Sequence, residues 1–277
     1  MAGVTWHSDT PPVTARPEGA AGWLRVLLRG GPVILAIATG LLLTALLRLV
    51  EAPLCRSSRP VTPWITVGVC RIALRGLGLP LSVEGRPDPQ ARLLVSNHVS
   101  WTDIFVLNAL GPLYFVAKSE VSGWPGIGLL ARATGTVFIS RDPRASAAQA
   151  AMLKARLGAG HRLMVFPEGT STDGRRVVPF RSAMFGALDA AAPELKVQPL
   201  TVAYHPPEGA DPRFYGWWGD MDMGPHLLQL LSAPRRGRVR VIWHPAVPAA
   251  GTGRKELARG TEDAVRAGLA AELGELA

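Results

Sequence analysis

Between Gly30 and Leu47 the chain reads GGPVILAIATGLLLTALL, 18 residues without a charge. Apolar side chains cover every face of such a helix, and its length of about 27 Å approaches the thickness of a bilayer core. Arg25 and Arg29 precede the run, and Arg48, Arg56 and Arg59 follow it. A second apolar stretch, WITVGVCRIALRGLGL from Trp64 to Leu79, sets Arg71 and Arg75 four apart on one helical face. That pattern suits a helix lying in the membrane interface. Residues 21–80 are therefore expected to be membrane-anchoring helices, spanning once or dipping into one leaflet. Arginines on both sides leave the orientation open, and a buried helix of a soluble domain is the competing reading. Residues 1–20, rich in Pro, Ala and Thr, read as a disordered tail.

After Pro80 the period changes. Short β-branched or apolar runs at 92–96, 113–117, 136–140, 163–166, 197–203 and 238–243 read as strands. Helical stretches at 145–158 and 182–191 separate some of them, with Gly158 or Gly160 as a stop signal. Alternating strands and helices predict an α/β layered sheet-and-helix domain over residues 81–250. Within 251–277, Arg254–Leu273 reads as a charged surface helix interrupted by Gly260.

Composition sharpens the first part of this picture. Apolar residues are 48% of the 277, charged residues 18%, and the mean hydropathy is +0.18. The net charge is +9, and residues 1–80 alone hold eight Arg against Asp9, Glu18 and Glu51. A basic rim beside an apolar segment suits an anionic lipid surface. Nucleic acid is the other partner that a pI near 10.5 suggests, but the chain carries no recognition-helix, zinc or aromatic-basic motif for it. Cys55 and Cys70 are the two cysteines and form no C-x-x-C, so neither a disulfide framework nor a zinc site is expected. The late apolar run, after Asp9 and Glu18, does not fit a cleavable signal.

Three motifs carry candidate chemistry. In SNHVSWTDIF (96–105) a strand runs into His98 and a helix begins near Ser100. His98 and Asp103 are five apart, about 140° around a helix, and would not pair on one helix. With His98 in the loop and Asp103 in the first turn, the imidazole can fold back onto the carboxylate. Such a pair works as a general base. Ser100-Trp-Thr-Asp103 is also a capping box, in which Asp103 would serve a backbone N–H. In MVFPEGTSTDG (164–174) a strand ends in a turn where Gly169 takes positive φ. Backbone amides and the Thr170 hydroxyl there can hold an anionic oxygen, and an ordinary turn with a solvated Glu168 is the alternative. In GTVFISRDPR (135–144), Arg141 follows a buried-type strand, where a guanidinium can fork onto a phosphate or stand as a surface arginine. Gly126-Ile-Gly128-Leu-Leu-Ala131 imitates a dinucleotide fingerprint but lacks the preceding strand and reads as a turn.

Taken together these motifs resemble the glycerophospholipid acyltransferase family over about residues 80–250. Asn97, His98, Ser100, Asp103 and Ile104 look like its N-H-x-S-x-x-D-I block. Gly135, Phe138, Ile139 and Arg141 look like G-x-x-F-I-x-R, and Phe166 to Thr170 like F-P-E-G-T. Pro199, in an apolar strand, and Lys118 also match. Ser171-Thr172-Asp173-Gly174 departs from the Arg-Ser that often follows F-P-E-G-T. The continuation TDGRRVVPFRS and the segment YGWWGDMDMGPHL (215–227) are closer to the branch that holds lyso-ornithine lipid acyltransferases.

The resemblance implies direct acyl transfer. His98, oriented by Asp103, deprotonates a lysophospholipid hydroxyl, which attacks an acyl thioester supplied as acyl-CoA or on acyl carrier protein. Arg141, Glu168, Gly169, Thr170 and Lys118 would bind substrate. No cofactor or metal is implied, and no G-x-S-x-G or H-E-x-x-H occurs. The first reading of the acceptor is 1-acylglycerol-3-phosphate, giving phosphatidate in phospholipid biosynthesis, with lyso-ornithine lipid as the alternative. A non-catalytic lipid-binding membrane protein of the same fold and a hydrolase are the rival classes. The expected location is the cytoplasmic membrane, with the active site facing the cytoplasm.

Overall fold

The computed structural model describes residues 5–12, 14–55, 58–140, 142–185 and 195–274. The apolar run lies inside a longer helix, α1 (Gly19–Cys55), of 37 residues, about 55 Å from end to end. It is long and apolar enough to cross a membrane, and 17% of its most apolar 18-residue window is buried. Helix α2 (Thr62–Gly76) folds back along it. Gly40 of α1 faces Val69, and Gly76 of α2 faces Val33, so the helices close where side chains are missing. Leu24, Leu28, Ile34, Leu35, Leu42 and Leu46 remain exposed on the free sides of α1.

Glu51 locks the turn end of this hairpin. Its Oε1 accepts the Val61 and Thr62 amides at 2.8 and 3.1 Å, and its Oε2 accepts the Thr62 hydroxyl at 2.6 Å. A carboxylate of one helix thus supplies the N-terminal cap of the next, where orphan amides and the helix dipole favour it. Glu51→Ala is expected to lower hairpin stability by about 1–2 kcal/mol. The check is the unfolding midpoint of full-length protein in lipid nanodiscs; an unchanged midpoint would show the clamp to be idle.

The sequence offered the flanking arginines to lipid headgroups, but several are used internally. Arg25 Nε donates to Ser232 O at 2.7 Å, and Arg29 Nη1 to Leu231 O and Ala233 O at 3.1 and 2.8 Å. These carbonyls end helix α6 (Met223–Ser232) and have no intrahelical donor. Arg71 Nε donates likewise to Ala109 O at 2.9 Å, near the end of helix α3 (Asp103–Leu110).

The strands are β1 (Leu81–Glu84), β2 (Ala91–Ser96), β3 (Tyr114–Lys118), β4 (Val137–Ile139), β5 (Leu163–Val165), β6 (Lys196–His205), β7 (Arg238–Trp243) and β8 (Val247–Pro248). They form one sheet in the order β1-β7-β6-β2-β5-β3-β4, with β8 against β6. Neighbours run parallel except β6 with β7 and β8. Pro199 sits inside central β6 because the ladder partners there change. β8 pairs as far as Val197 and β7 begins at Leu200, so no donor is needed from Pro199.

Alternating residues send the core to both faces. Leu94, Leu200, Val202 and Val241 pack with α2, α3 and α6, while Leu93, Val95, Val165 and Val197 pack on the other side. That second side holds helices α5 (Ser146–Gly158) and α7 (Arg254–Leu273). The layered α/β architecture is therefore the one the sequence predicts, and the six strands expected from it, β2 to β7 of the eight, lie within two residues of their expected bounds.

Several expectations need correction. Strands β1 and β8 were not anticipated, since both are short and mostly exposed. Helix α7 runs unbroken through Gly260 and is not merely a surface helix. Leu257, Thr261, Val265 and Leu269, spaced by four, bury one face against β6. Gly260 points to solvent, where a missing side chain weakens a helix without breaking it. The expected turn at 126–131 is instead the start of helix α4 (Ile127–Thr134). Of the helix expected over 182–191, residues 182–185 form a 3-10 turn and the rest lie outside the described residues. Up to α1 the described part of the expected tail lacks helix and strand, yet it is docked. Trp6 N–H donates to Thr170 Oγ1, and Ala15 N–H to Gln229 Oε1.

Candidate active site

Strand β2 ends where Asn97 turns inward. Its amide donates to Val202 O at 2.9 Å and accepts Val202 N–H at 2.8 Å, replacing a ladder pair with β6. The chain then leaves the sheet edge through His98, Val99 and Ser100 and enters α3 at Asp103. Asp103 Oδ2 accepts the Val99 and Ser100 amides at 2.7 and 3.1 Å. The same oxygen lies 2.7 Å from His98 Nδ1. The expected reciprocal capping box does not close, because Asp103 N–H bonds Ser100 O and not its hydroxyl. The carboxylate instead gathers the two loop amides and the imidazole on one oxygen, and so orients the ring.

The other oxygen is satisfied from the middle of the sheet. Tyr204 O–H donates to Asp103 Oδ1 at 2.7 Å and lies 2.9 Å from Thr102 Oγ1. Burial, reinforced by the Asp103 charge, pushes the Tyr204 phenol well above its usual range and keeps it a donor. A carboxylate that only accepts requires the proton on His98 Nδ1, which leaves Nε2 as the acceptor. Asp103 is fully buried, whereas the His98 side chain is 21% exposed. Phe166, just past β5, stacks on the imidazole at 4.0 Å and 11°, and Phe115 stands behind it at 5.8 Å. Thr172 N–H holds His98 O, and Trp217 N–H holds Val99 O, each at 2.9 Å. The ring is fixed on one face, tethered at Nδ1 and open at one edge. Among the described residues no three His, Cys, Asp or Glu side chains converge as a metal site would require.

Comparison with known proteins bears on this geometry. The model of a family described as Acyltransferase matches residues 82–203. A lyso-ornithine lipid O-acyltransferase of Rhodobacter capsulatus is 50% identical over 267 residues, covering 95% of this chain and 96% of that protein. The chain belongs to the acyltransferase family. A 1-acyl-sn-glycerol-3-phosphate acyltransferase of Neisseria gonorrhoeae is 33% identical over 147 residues, covering 52% of this chain and 56% of that protein. The crystal structure of the 1-acyl-sn-glycerophosphate acyltransferase from Thermotoga maritima shares the fold, with a TM-score of 0.62 at 20% identity. It aligns over 92% of this chain and 99% of its own.

In this acyltransferase the candidate residues Lys118, Glu168, Gly169 and Thr170 lie at the same sheet edge as His98. His98 follows β2, the 167–170 turn follows β5, and Lys118 ends β3; these parallel strands finish on the same side. Such an edge is where α/β sheets bind ligands. Arg141 lies outside the described residues. Gly169 has φ 69°, and the Arg181 guanidinium packs against its Cα where a Cβ would stand. Thr170 Oγ1 accepts Trp6 N–H at 3.0 Å and donates to Ser171 O at 3.2 Å.

Glu168 departs from the solvated alternative weighed for it. It is 1% exposed, and neither carboxyl oxygen closes a hydrogen bond of ordinary geometry. Burial pushes its carboxyl well above the usual range, with the His98 main-chain amide offsetting part of this and the Asp103 charge adding to it. The folded state therefore holds this proton more tightly than the unfolded chain does, and stability falls as pH rises above the unfolded value. Glu168→Gln, which needs no proton, is expected to gain unfolding midpoint over the wild type as pH rises above the ordinary carboxyl range. A difference that does not vary with pH would show the carboxyl already ionised.

Tyr204, Thr172 and Trp217 were missed as site residues. Tyr204 has one clue, its place five residues beyond Pro199 in the proline-containing strand. Trp217 lies in the segment that pointed to the lyso-ornithine branch, and the structure seats that segment on the His98 loop.

Proposed function

We propose that this acyltransferase moves a fatty acyl group from an acyl thioester to the hydroxyl of lyso-ornithine lipid at the cytoplasmic membrane. His98 Nε2 takes the proton from the acceptor hydroxyl, whose oxygen attacks the thioester carbonyl, and the thiolate leaves. Asp103 holds the tautomer and stabilises the imidazolium as it forms. The thioester is already activated, so base assistance and positioning suffice. CoA and acyl carrier protein both fit as carriers of the acyl group. Lys118, Gly169 and Thr170 stand at the acceptor side, and α1 with its exposed leucines holds the sheet edge near the leaflet that contains the acyl chains.

The observation that carries the acceptor is the 50% identity to a lyso-ornithine lipid enzyme along almost the whole chain. This reverses the order in which the sequence placed the two acceptors. Charge at the turn supports it. Ser171 and Thr172 stand where Arg-Ser would follow the turn, and the next residue, Asp173, is buried and draws Arg176 into a forked ion pair with two contacts of 3.2 Å. A headgroup bearing a carboxylate and an amine asks for less positive charge than a phosphate dianion. The shorter similarity to 1-acylglycerol-3-phosphate enzymes keeps that acceptor as the second reading.

Purified protein given a labelled acyl donor should acylate lyso-ornithine lipid at a kcat/KM well above that for lysophosphatidate. The reverse preference would overturn the acceptor assignment. Release of free fatty acid without any acylated lipid would overturn transfer itself.

A further inference from the structure

The N-terminal segment, expected to be loose, crosses the outside of the site. Its first anchor is the Trp6 amide on the Thr170 hydroxyl. The Trp6 ring meets Trp218 edge-on at 5.9 Å and carries the Arg176 guanidinium over its face at 4.9 Å. Farther along, Arg213 Nη1 donates to Thr10 Oγ1 at 2.6 Å. Ordering a Pro-rich segment costs conformational entropy, so a course tied at successive points marks a defined surface beneath it.

That surface consists of the two segments that hold the His98 loop. Thr170 lies between Phe166, which stacks on the imidazole, and Thr172, whose amide holds His98 O. Trp218 is next to Trp217, whose amide holds Val99 O. Arg176 is gripped from two sides, by the Asp173 carboxylate and by the Trp6 ring. An aromatic face opposite an ion-paired guanidinium fixes its plane and aims its remaining N–H groups.

We propose that residues 5–12 form the outer wall of the acceptor site, with Trp6 as a positioning residue that fixes Thr170 and Arg176 beside the anionic oxygens of the acceptor headgroup. This rests on the functional reading above, which puts the acceptor at the turn after β5. Removing the Trp6 ring frees Arg176 and loosens the segment, which weakens acceptor binding without touching the base.

Steady-state kinetics of full-length wild type, Trp6→Ala, Trp6→Phe and Thr10→Val test it, with acyl donor and acceptor varied in turn. Trp6→Ala should raise KM for whichever acceptor the wild type uses by about tenfold, leaving donor KM and kcat within about twofold. Trp6→Phe, which keeps a ring for Arg176, should recover acceptor KM to within about threefold of wild type. Thr10→Val should give a smaller rise in the same direction, and it decides the matter if Trp6→Ala does not fold. Donor and acceptor KM rising together, or a fall in kcat alone, would make Trp6 a structural brace and overturn the assignment. Unchanged acceptor KM in an active enzyme would remove the wall alone. A wild type that acylates neither acceptor would remove the functional reading on which the wall depends.

Discussion

His98→Ala abolishes acyl transfer while the protein keeps its fold and its membrane association. The loss expected from removing a general base is about 10²–10⁴ in kcat. Folding should survive because the imidazole makes one side-chain hydrogen bond and its ring is partly open to solvent. Asp103→Asn should fall comparably by a different route. The Val99 and Ser100 amides hold the Asn carbonyl oxygen at the position facing His98 Nδ1, so the ring keeps its partner but loses the negative charge that stabilises the imidazolium. Asp103→Ala would instead strand the Val99 and Ser100 amides and the Tyr204 hydroxyl, and damage the loop itself. Single-turnover transfer rates, with circular dichroism as the folding control, separate these cases. Transfer retained by a folded His98→Ala protein would refute the base assignment.

Tyr204→Phe lowers kcat by about tenfold to a hundredfold with little change in either KM. The phenol donates to a buried carboxylate, and hydrogen bonds to charged groups are worth about 1.5–3 kcal/mol. Without it Asp103 Oδ1 has no donor, and the carboxylate can swing away from the geometry that holds His98. The Thr102 hydroxyl also loses its partner, so the unfolding midpoint should fall modestly. An unchanged kcat would mean that the two amides and His98 hold Asp103 unaided. A rise in acceptor KM alone would place the phenol in binding instead of orientation.

Local patterns carried much of this protein. The uncharged run near the N-terminus specifies a long apolar helix whatever surrounds it, because length and hydropathy are properties of the segment. Strands β2 to β7 were legible from short β-branched runs between turn residues, since a strand buried on both faces has no other composition open to it. The pairing of His98 with Asp103 was legible as one of two readings, because a strand followed by a short loop leaves His98 outside the helix whose first turn holds Asp103. The same pattern also allowed Asp103 to serve backbone amides, and the structure shows it doing both.

The rest depended on partners distant in sequence. Tyr204 reaches Asp103 across 101 positions, and no local pattern encodes such a contact. It exists because β6 lies beside β2 in the sheet. Glu168 reads as a polar turn residue, and only packing against the interior turns it into a sealed carboxyl whose pKa burial raises. Arg25 and Arg29 look like lipid-facing charges until α6 ends beside them with carbonyls unpaired. The N-terminal segment has the composition of a tail, and its course over Thr170 follows from surfaces built by residues more than 160 positions away. Periodicity and capping are written within a few residues. Which buried donor meets which acceptor is settled by the order of strands, which brings distant residues within hydrogen-bond reach.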